Sequence, residues 1–320
     1  MKKQVLSTIP LFDERCKKAK ELLIENGYEI IEYQGDTVMT SEEIKAAGSG
    51  ICAAIVGCEA WDEELYEACP ELKVLARFGV GVDCIDLEGA RRHGIKVCNA
   101  RGMNCKAVGE ATVMFALASL RNLVELTDTT KEGKWIRYTG RTLGGKTYGL
   151  VGFGAVARYV AKLLQSFGVE KILAYDVYQD QEAAKDLGVT FTDMDTLLKS
   201  SDVISLHIPG TAETRGLIGE REISLMKRQA VLINAARGCV VDEKALYHGL
   251  KEGKIAAAAL DVFEDEPVKA DNPLLKLKNL ICMPHQAADT YETFESVAYF
   301  DAEVILDVMN GKEPRNWLNP

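Results

Sequence analysis

Two of the four histidines in this chain follow short apolar runs, where a side chain that transfers protons would be well placed. His207 ends the run VISLH, and His285 stands in MPHQA. An imidazole gains and loses a proton near neutral pH, and open α/β sheets bind ligands at the carboxyl ends of their strands. His93 and His248 lie in polar helical patterns, and we assign them structural roles. The pattern therefore predicts that His207 and His285 lie at a functional site.

A glycine-rich segment predicts a dinucleotide site. An apolar run at 148–151 leads into Gly152-Phe-Gly154-Ala-Val-Ala157 and then into the helical pattern YVAKLLQSFG. In this motif the first glycine permits a tight turn, and the second lets the backbone approach a pyrophosphate at the helix N-terminus. Ala157 is small enough for the helix to pack closely on its strand.

Asp176 ends the next apolar run, 19 residues after Ala157 (176 − 157 = 19). A carboxylate about 20 residues beyond such a motif accepts hydrogen bonds from a ribose 2′-hydroxyl. The same charge repels a 2′-phosphate, so we expect NAD as the cofactor, with NADH preferred over NADPH. The alternative is that Asp176 serves only as a helix N-cap or turn residue.

The elements that must position these residues alternate between short β-branched runs and amphipathic stretches, a pattern typical of parallel sheets covered by helices. The predicted fold class is α/β, with two doubly wound parallel-sheet domains. Strands of the first sheet are predicted at Val5–Ile9, Glu29–Tyr33, Ile51–Val56, Val74–Phe78 and Lys96–Asn99. Strands of the second are predicted at Tyr148–Gly152, Lys171–Tyr175, Val203–His207, Ala230–Asn234, Ala256–Val262 and Leu280–Met283.

Two longer helices complete the prediction. The mostly apolar segment Lys106–Leu126 predicts one long buried helix, and Thr290–Asn310 predicts a helix that follows the complete second sheet. A terminal helix with no sheet partner left is expected to return to the first domain. The chain would then divide into a discontinuous domain of residues 1–101 plus 288–320 and a Rossmann domain of residues 102–287.

Composition excludes several classes of protein. The chain of 320 residues has 38 Lys and Arg against 48 Asp and Glu, a net charge of −10, so it lacks the basic field that holds nucleic acid. Its beginning resembles neither a secretory signal nor a membrane span. Nine cysteines without a C-x-x-C pair predict reduced thiols in a cytoplasmic protein, with no metal site.

Six ordered segments together resemble the D-isomer-specific 2-hydroxyacid dehydrogenases. They are ARFGVGVD (76–83), GLVGFGAVA (149–157), DVISLHIP (202–209), NAARGCVVDE (234–243), ALDVFEDEP (259–267) and MPHQAA (283–288). The resemblance implies a flavodoxin-like substrate domain beside the NAD-binding Rossmann domain, and interconversion of a small 2-keto acid with its D-2-hydroxy acid. Its implied catalytic residues are Arg237, Glu266 and His285.

These residue types suit that chemistry. A guanidinium, which is always charged, can hold a substrate carboxylate and stabilise the alkoxide that develops during hydride transfer. A carboxylate beside an imidazole favours the protonated form of the imidazole. Glu266 is therefore expected to orient His285 and to raise the pKa of His285. The competing interpretations are a salt bridge for Arg237, a surface charge for Glu266 and a buried structural histidine for His285.

The resemblance also implies contacts to substrate and cofactor. The backbone amides of Val80 and Gly81 are expected to bind the substrate carboxylate, with Arg77 nearby, and relatives suggest a homodimer formed through the region of Lys106–Leu126. Burial of that helix within one subunit is the alternative. The implied cofactor contacts are Gly152, Gly154, Ala155, Val156, Asp176, His207, Ile208, Pro209, Ala235, Asp261 and Thr112.

The chain departs from the pattern where substrate specificity is expected. Phosphoglycerate dehydrogenases usually carry a basic residue after the strand that matches Ile51–Val56, whereas this chain has Gly57, Cys58 and Glu59. An acid there argues against 3-phosphoglycerate, and Gln286 could add a polar contact beside His285. Two alternatives to the keto-acid enzyme stay open: an NADH-binding scaffold of the corepressor type, and a phosphite dehydrogenase on the same fold.

Overall fold

The computed structural model describes residues 3–35, 38–48 and 50–320. The chain forms two compact units: Met1–Asn104 together with Asp289–Pro320, and Cys105–Ala288. Each unit contains one parallel sheet with helices around it, which confirms the predicted α/β class.

The first unit is built on a five-stranded parallel sheet in the order β2-β1-β3-β4-β5. Its strands are β1 (Lys3–Ser7), β2 (Tyr28–Glu32), β3 (Ile51–Val56), β4 (Val74–Arg77) and β5 (Lys96–Asn99). Its helices are α1 (Phe12–Arg15), α2 (Lys17–Glu25), α3 (Ser41–Ala47), α4 (Glu63–Ala68), α5 (Leu87–Arg92) and the C-terminal helix Tyr291–Met309. The order is that of flavodoxin-like sheets, in which the chain reverses its direction of winding between β1 and β3.

The central strand β3 shows why this sheet forms. All six residues of its sequence ICAAIV are buried, as expected for a parallel strand covered on both faces. The C-terminal helix contributes Phe294, Val297 and Ile305 to the apolar core on one face, together with residues of α2. The 289–320 segment is therefore part of the first unit's core.

The second unit contains seven parallel strands in the order β12-β11-β10-β9-β6-β7-β8. They are β6 (Thr147–Val151), β7 (Lys171–Tyr175), β8 (Val189–Phe191), β9 (Val203–Leu206), β10 (Val231–Asn234), β11 (Ala257–Leu260) and β12 (Leu280–Cys282). Its helices are α6 (Cys105–Leu120), α7 (Leu123–Lys131), α8 (Ala155–Gln165), α9 (Gln181–Asp186), α10 (Met194–Ser200), α11 (Glu220–Leu225) and α12 (Glu243–Lys251), with short 3₁₀ helices at Gly238–Val240 and Pro273–Lys276. Strand β8 was not predicted, because three residues at a sheet edge carry almost no periodic signal.

The prediction of one helix over Lys106–Leu126 was wrong. Helix α6 ends at Leu120, and α7 begins at Leu123 with its axis bent by 63°. Asn122 lies between them in the left-handed region, at φ 50°, a conformation that asparagine adopts more readily than most residues. Among the described residues no single helix is long and apolar enough to cross a membrane. The bent pair α6 and α7 has the required length and apolar composition only when the two helices are taken together.

Asp301, on the C-terminal helix, is an ionisable group in the core of the first unit. It is 1% exposed, and neither carboxyl oxygen has a hydrogen-bond partner among the described residues. Burial raises its pKa well above the usual range, although the charge of Arg77 acts in the opposite direction. Burial therefore favours the protonated form of Asp301 in the folded protein up to a higher pH than in the unfolded chain, which ionises this carboxyl above about pH 4.

This difference in pKa makes stability depend on pH. The raised pKa of Asp301 means that stability is lost as pH rises from about 4 towards the folded-state value, by about 1.4 kcal/mol per pH unit. We expect Asp301→Asn to remove that part of the slope in urea unfolding between pH 5 and pH 8. Asp307→Asn, on the same helix but partly exposed, is the control. Equal slopes for the two variants would contradict the assignment.

Candidate active site

Most of the sequence-predicted residues of the second unit follow strands that end at one edge of its sheet, whereas Thr112 lies within α6. The parallel strands β6, β7, β9, β10, β11 and β12 all end at that edge, and each is followed by a segment that carries at least one of them. In strand order from one side of the sheet to the other, these residues are His285, Asp261, Arg237, His207, Gly152 and Asp176. This edge is where open α/β sheets bind ligands.

His285 and Glu266 form a close pair. His285 Nδ1 lies 2.7 Å from Glu266 Oε2, and the second carboxylate oxygen accepts a hydrogen bond from the Phe263 amide at 2.9 Å. The hydrogen bond to Glu266 raises the pKa of His285, while burial and Arg237 oppose the rise. Burial raises the pKa of Glu266, but the bonds from His285 and Phe263 outweigh it, so the net shift is downward. The pair favours an imidazolium beside a carboxylate, with Nε2 left for proton exchange.

Asp261 holds the backbone of His285 in an unusual conformation. His285 has φ 55°, in the left-handed region, where a residue with a side chain is strained by about 1–2 kcal/mol. The Asp261 carbonyl accepts a bond from the His285 amide at 2.7 Å. Its carboxylate oxygens accept bonds from the amides of Gln286 at 2.8 Å and Ala287 at 2.9 Å. Asp261 is 1% exposed, so its observed role is to fix this turn, and the nicotinamide contact stays a prediction.

The turn that carries Arg237 is shaped by Asn234, the last residue of β10. The fully buried Asn234 amide accepts a bond from the Ala236 backbone N–H at 3.1 Å and donates one to the Arg237 carbonyl at 2.9 Å. The charge of Arg237 contributes to the lowered pKa of Glu266 and opposes the raised pKa of His285. The guanidinium is therefore electrically coupled to both members of the pair.

Gly238 brings the Arg237 turn against the segment that carries Glu266. A Cβ atom at Gly238 would lie 1.8 Å from the Phe263 carbonyl oxygen and 2.6 Å from the Glu264 amide nitrogen. Any side chain at 238 would push the two segments apart. The glycine in NAARG is thus required by packing, because two backbones meet there.

Glu243, at the start of α12, was not among the predicted site residues. Its Oε1 accepts a bond from the Glu264 amide at 2.7 Å, and its Oε2 accepts one from the Asn272 side chain at 2.8 Å. These bonds fix the loop that presents Glu266. The sequence signal was limited to its place directly after Asp242 in NAARGCVVDE, which gives no indication of a partner 21 residues away.

The glycine motif leaves room for a pyrophosphate. Gly152 has φ 95°, and a Cβ there would lie 2.5 Å from the His207 carbonyl oxygen, so only glycine fits. Gly154 precedes α8 and provides no side-chain cap, and a Cβ atom at Gly154 would meet none of the described atoms within 4 Å. The N-terminus of this eleven-residue helix is therefore open beside Gly154, which suits an anion. Ala155 and Val156 are its first residues, and Ala157 is fully buried against the sheet.

Asp176 lies beside this motif. Its Oδ2 accepts a hydrogen bond from the Phe153 amide at 2.6 Å, and its Oδ1 accepts one from the Tyr178 amide at 2.9 Å. Helix α9 is capped by Asp180, so Asp176 is a turn residue and not an N-cap. Each carboxylate oxygen keeps a second lone pair that can accept a bond from a ribose hydroxyl.

The other predicted cofactor contacts differ in how open they are. His207 Nε2 lies 2.7 Å from Ser205 Oγ, and burial lowers the pKa of His207 to about 3, which removes it as a proton donor at neutral pH. Thr112 is fully buried, and its hydroxyl donates to the Val108 carbonyl at 2.8 Å. Ile208, Pro209 and Ala235 are at least partly accessible. Contact of these residues with the cofactor stays a prediction.

In the first unit, Arg77 braces the loop that follows β4. Its Nε donates to the Gly81 carbonyl at 2.8 Å, and its Nη1 donates to the Phe78 carbonyl. Asn99 donates to the Val80 carbonyl at 2.7 Å. These hydrogen bonds hold the loop in one conformation. In the described part of the chain, no hydrogen bond from the Val80 or Gly81 amide is found.

Comparisons with known proteins show similarity to one family of dehydrogenases. Residues 113–287 match the family model "D-isomer specific 2-hydroxyacid dehydrogenase, NAD binding domain". The D-3-phosphoglycerate dehydrogenase of Archaeoglobus fulgidus is 41% identical over 319 residues, which cover 99% of this chain and 59% of the relative. The glyoxylate reductase of Korarchaeum cryptofilum is 40% identical over 264 residues, 81% of this chain and 79% of the relative. The chain thus spans about three fifths of the length of the phosphoglycerate dehydrogenases that it matches.

Solved structures show the same fold over nearly the whole chain. The TT0316 protein from Thermus thermophilus has a TM-score of 0.91 and 34% identity, covering 98% of this chain and 99% of that one. D-lactate dehydrogenase with NAD+ from Lactobacillus jensenii has a TM-score of 0.82 and 27% identity, covering 99% and 100%. This chain therefore belongs to the D-isomer-specific 2-hydroxyacid dehydrogenase family, and residues 113–287 lie in its NAD-binding domain.

Proposed function

We propose that this protein is an NAD-dependent oxidoreductase that interconverts a small 2-keto acid and its D-2-hydroxy acid. The observation that carries the proposal is the pair of His285 Nδ1 and Glu266 Oε2 at 2.7 Å, in the same unit as the NAD-binding motif. Relatives named as glyoxylate reductase and D-lactate dehydrogenase support the reaction class.

In the proposed mechanism, the glycine motif and Asp176 would hold NADH, which would supply the hydride that reduces the keto carbon. His285 donates the proton from Nε2 to the substrate oxygen, while Glu266 stabilises the imidazolium before the transfer. Arg237 binds the substrate carboxylate and stabilises negative charge on the oxygen. In the oxidative direction the neutral imidazole takes the proton back.

The cofactor preference rests on Asp176. Its carboxylate is fixed by two backbone amides beside the glycine motif, so it cannot easily turn away from a ribose. A 2′-phosphate would meet this charge, whereas a 2′-hydroxyl can donate a hydrogen bond to it. We therefore expect NADH to be preferred over NADPH.

We propose that the loop braced by Arg77 binds the substrate carboxylate through the amides of Val80 and Gly81. Gly79 has φ 130°, a backbone conformation that residues with a side chain rarely adopt. Adjacent backbone amides in such turns form anion-binding sites. Arg77 then acts on substrate through the loop, since its guanidinium is bonded to the carbonyls of Phe78 and Gly81.

The proposed reaction is tested by the loss of NADH absorbance with glyoxylate, pyruvate, hydroxypyruvate and longer 2-keto acids, with NADPH as comparison. We expect turnover of at least one acid with NADH, and Arg237→Ala should lower kcat/KM by at least about 100-fold while NADH binding stays nearly unchanged. The exposed Arg228→Ala is the control. NADH binding without reduction of any acid would instead favour the scaffold alternative.

The His285–Glu266 pair predicts a pH dependence. Because the pKa of His285 is raised, keto-acid reduction should stay high below that pKa and fall as pH rises through it, while oxidation should increase over the same range. Glu266→Gln should move both profiles to lower pH by about one unit or more. Asp265→Asn, on an exposed neighbour, should leave them in place. Coincident profiles for the parent and Glu266→Gln would rule out this pairing as the source of the pKa.

We further propose that the protein forms a homodimer. Most residues of α6, in the predicted dimer region Lys106–Leu126, are buried within the subunit, so we place the interface on the more exposed residues 123–138. Trp135 is 84% exposed, and Leu123, Val124, Ile136 and Tyr138 are also exposed. Large apolar side chains grouped in this way on a surface mark a contact with another protein, and a second copy is the commonest partner.

Sedimentation equilibrium tests the homodimer. We expect the parent protein to be dimeric and Trp135→Asp to weaken association at least tenfold, since a charge would be buried in the interface. Tyr291→Asp, which alters an aromatic residue that is 81% exposed in the first unit, should not change the mass. A monomeric parent protein would contradict the proposal.

A further inference from the structure

A buried glutamate lies at the ligand-binding edge of the first unit. In the strand order β2-β1-β3-β4-β5 the winding reverses between β1 and β3, and the crevice at their carboxyl ends is the usual ligand position in such sheets. Glu59, three residues beyond the end of β3, is 4% exposed. Its carboxylate reaches across to the segment that follows β1.

The hydrogen bonds of Glu59 converge on one oxygen. Oε1 accepts from the Thr8 hydroxyl at 2.6 Å, from the Gly57 amide at 3.0 Å and from the Trp61 indole at 3.2 Å. Thr8 directly follows β1, and Gly57 directly follows β3. The carboxylate therefore joins the two strand ends that border the crevice, and its position is fixed by three donors.

The second oxygen is available to a ligand. Oε2 accepts no hydrogen bond from the described residues. It is also not completely buried, so part of its surface is accessible. A Cβ atom at Gly57 would lie 3.0 Å from Oε2, so the glycine leaves the space next to this oxygen free. A carboxylate oxygen only accepts hydrogen bonds, and at neutral pH it repels anions.

The proposed substrate loop follows β4, the strand next to β3. Strand β4 pairs with β3, Val56 is in register with Arg77, and the Phe78 amide donates to the Val56 carbonyl at 2.9 Å. Arg77 Nη2 contacts Cys58 Sγ at 3.6 Å. A substrate whose carboxylate binds the Val80 and Gly81 amides can therefore extend its tail over Gly57 towards Glu59.

We propose that Glu59 determines substrate specificity, by accepting a hydrogen bond at Oε2 from a hydroxyl on the carbon next to the keto group. The protein would then prefer 3-hydroxy-2-keto acids over their 3-phosphorylated forms. This inference rests on the proposed function for the position of the substrate. It uses a side chain that the reaction itself does not need.

The test compares Glu59→Gln with the parent. Glutamine keeps an acceptor for the three donors and replaces Oε2 by an NH₂ group, which donates and carries no charge. With NADH we would measure kcat/KM for pyruvate, hydroxypyruvate and 3-phosphohydroxypyruvate. Calorimetry would measure the binding of D-lactate, D-glycerate and 3-phospho-D-glycerate to the NADH-loaded protein. Glu64→Gln, at an exposed glutamate of α4, is the matched control.

We expect the parent to favour the hydroxyl over the phosphate by at least 100-fold, and Glu59→Gln to reduce that ratio at least tenfold with pyruvate unchanged. An equal loss for all three acids, or an unchanged ratio, would overturn the proposal. If no acid is reduced but the binding ratio behaves as expected, the proposed reaction fails and the role of Glu59 stands.

A second variant covers the case in which Glu59→Gln does not fold. Glu59→Asp keeps the charge and withdraws the oxygen by one methylene. Rejection of the phosphate should then persist, while the preference for hydroxypyruvate over pyruvate should fall. If Glu59→Asp keeps the parent preference between these two acids, the hydrogen bond to the hydroxyl is excluded.

Discussion

The pairing of His285 with Glu266 depends on three loops that approach one another at backbone distance. The loops follow β10, β11 and β12, and the absence of a side chain at Gly238 is what allows the first to touch the second. The third is fixed to the end of β11 by both oxygens of the Asp261 carboxylate. The geometry of the His285–Glu266 pair is thus a consequence of close packing at the edge of one sheet.

Buried and half-buried carboxylates are used in several ways in this chain. Asp261 and Glu243 receive backbone or amide donors and hold loops in place. Glu59 joins two strand ends of the other unit, and Asp301 accepts no hydrogen bond from any of the described residues. A carboxylate therefore stabilises the folded state where hydrogen-bond donors surround it, and destabilises the folded state where donors are missing.

Much of the fold could be predicted from the sequence because the information was local. Strands such as β3 are continuous apolar runs, and the glycine motif is a contiguous signature within a strand-turn-helix unit. The break at Asn122 was missed because one left-handed residue decides it while the apolar pattern continues on both sides. At the site, Glu59 was identified as an acid, but its bond to Thr8 joins residues 51 positions apart, which no periodicity reveals. Glu243 was missed for the same reason.

The left-handed backbone of His285 limits what can replace it. Asparagine and glycine adopt φ near 55° at little cost, whereas β-branched residues do so only with severe crowding of their side chains. An alanine substitution therefore changes two properties at once, because it removes the imidazole and alters the conformational preference of the turn. Asparagine is the better substitution for separating them, since it removes the imidazole and still suits the turn. The range of residues tolerated at position 285 is set by the main chain as well as by the chemistry.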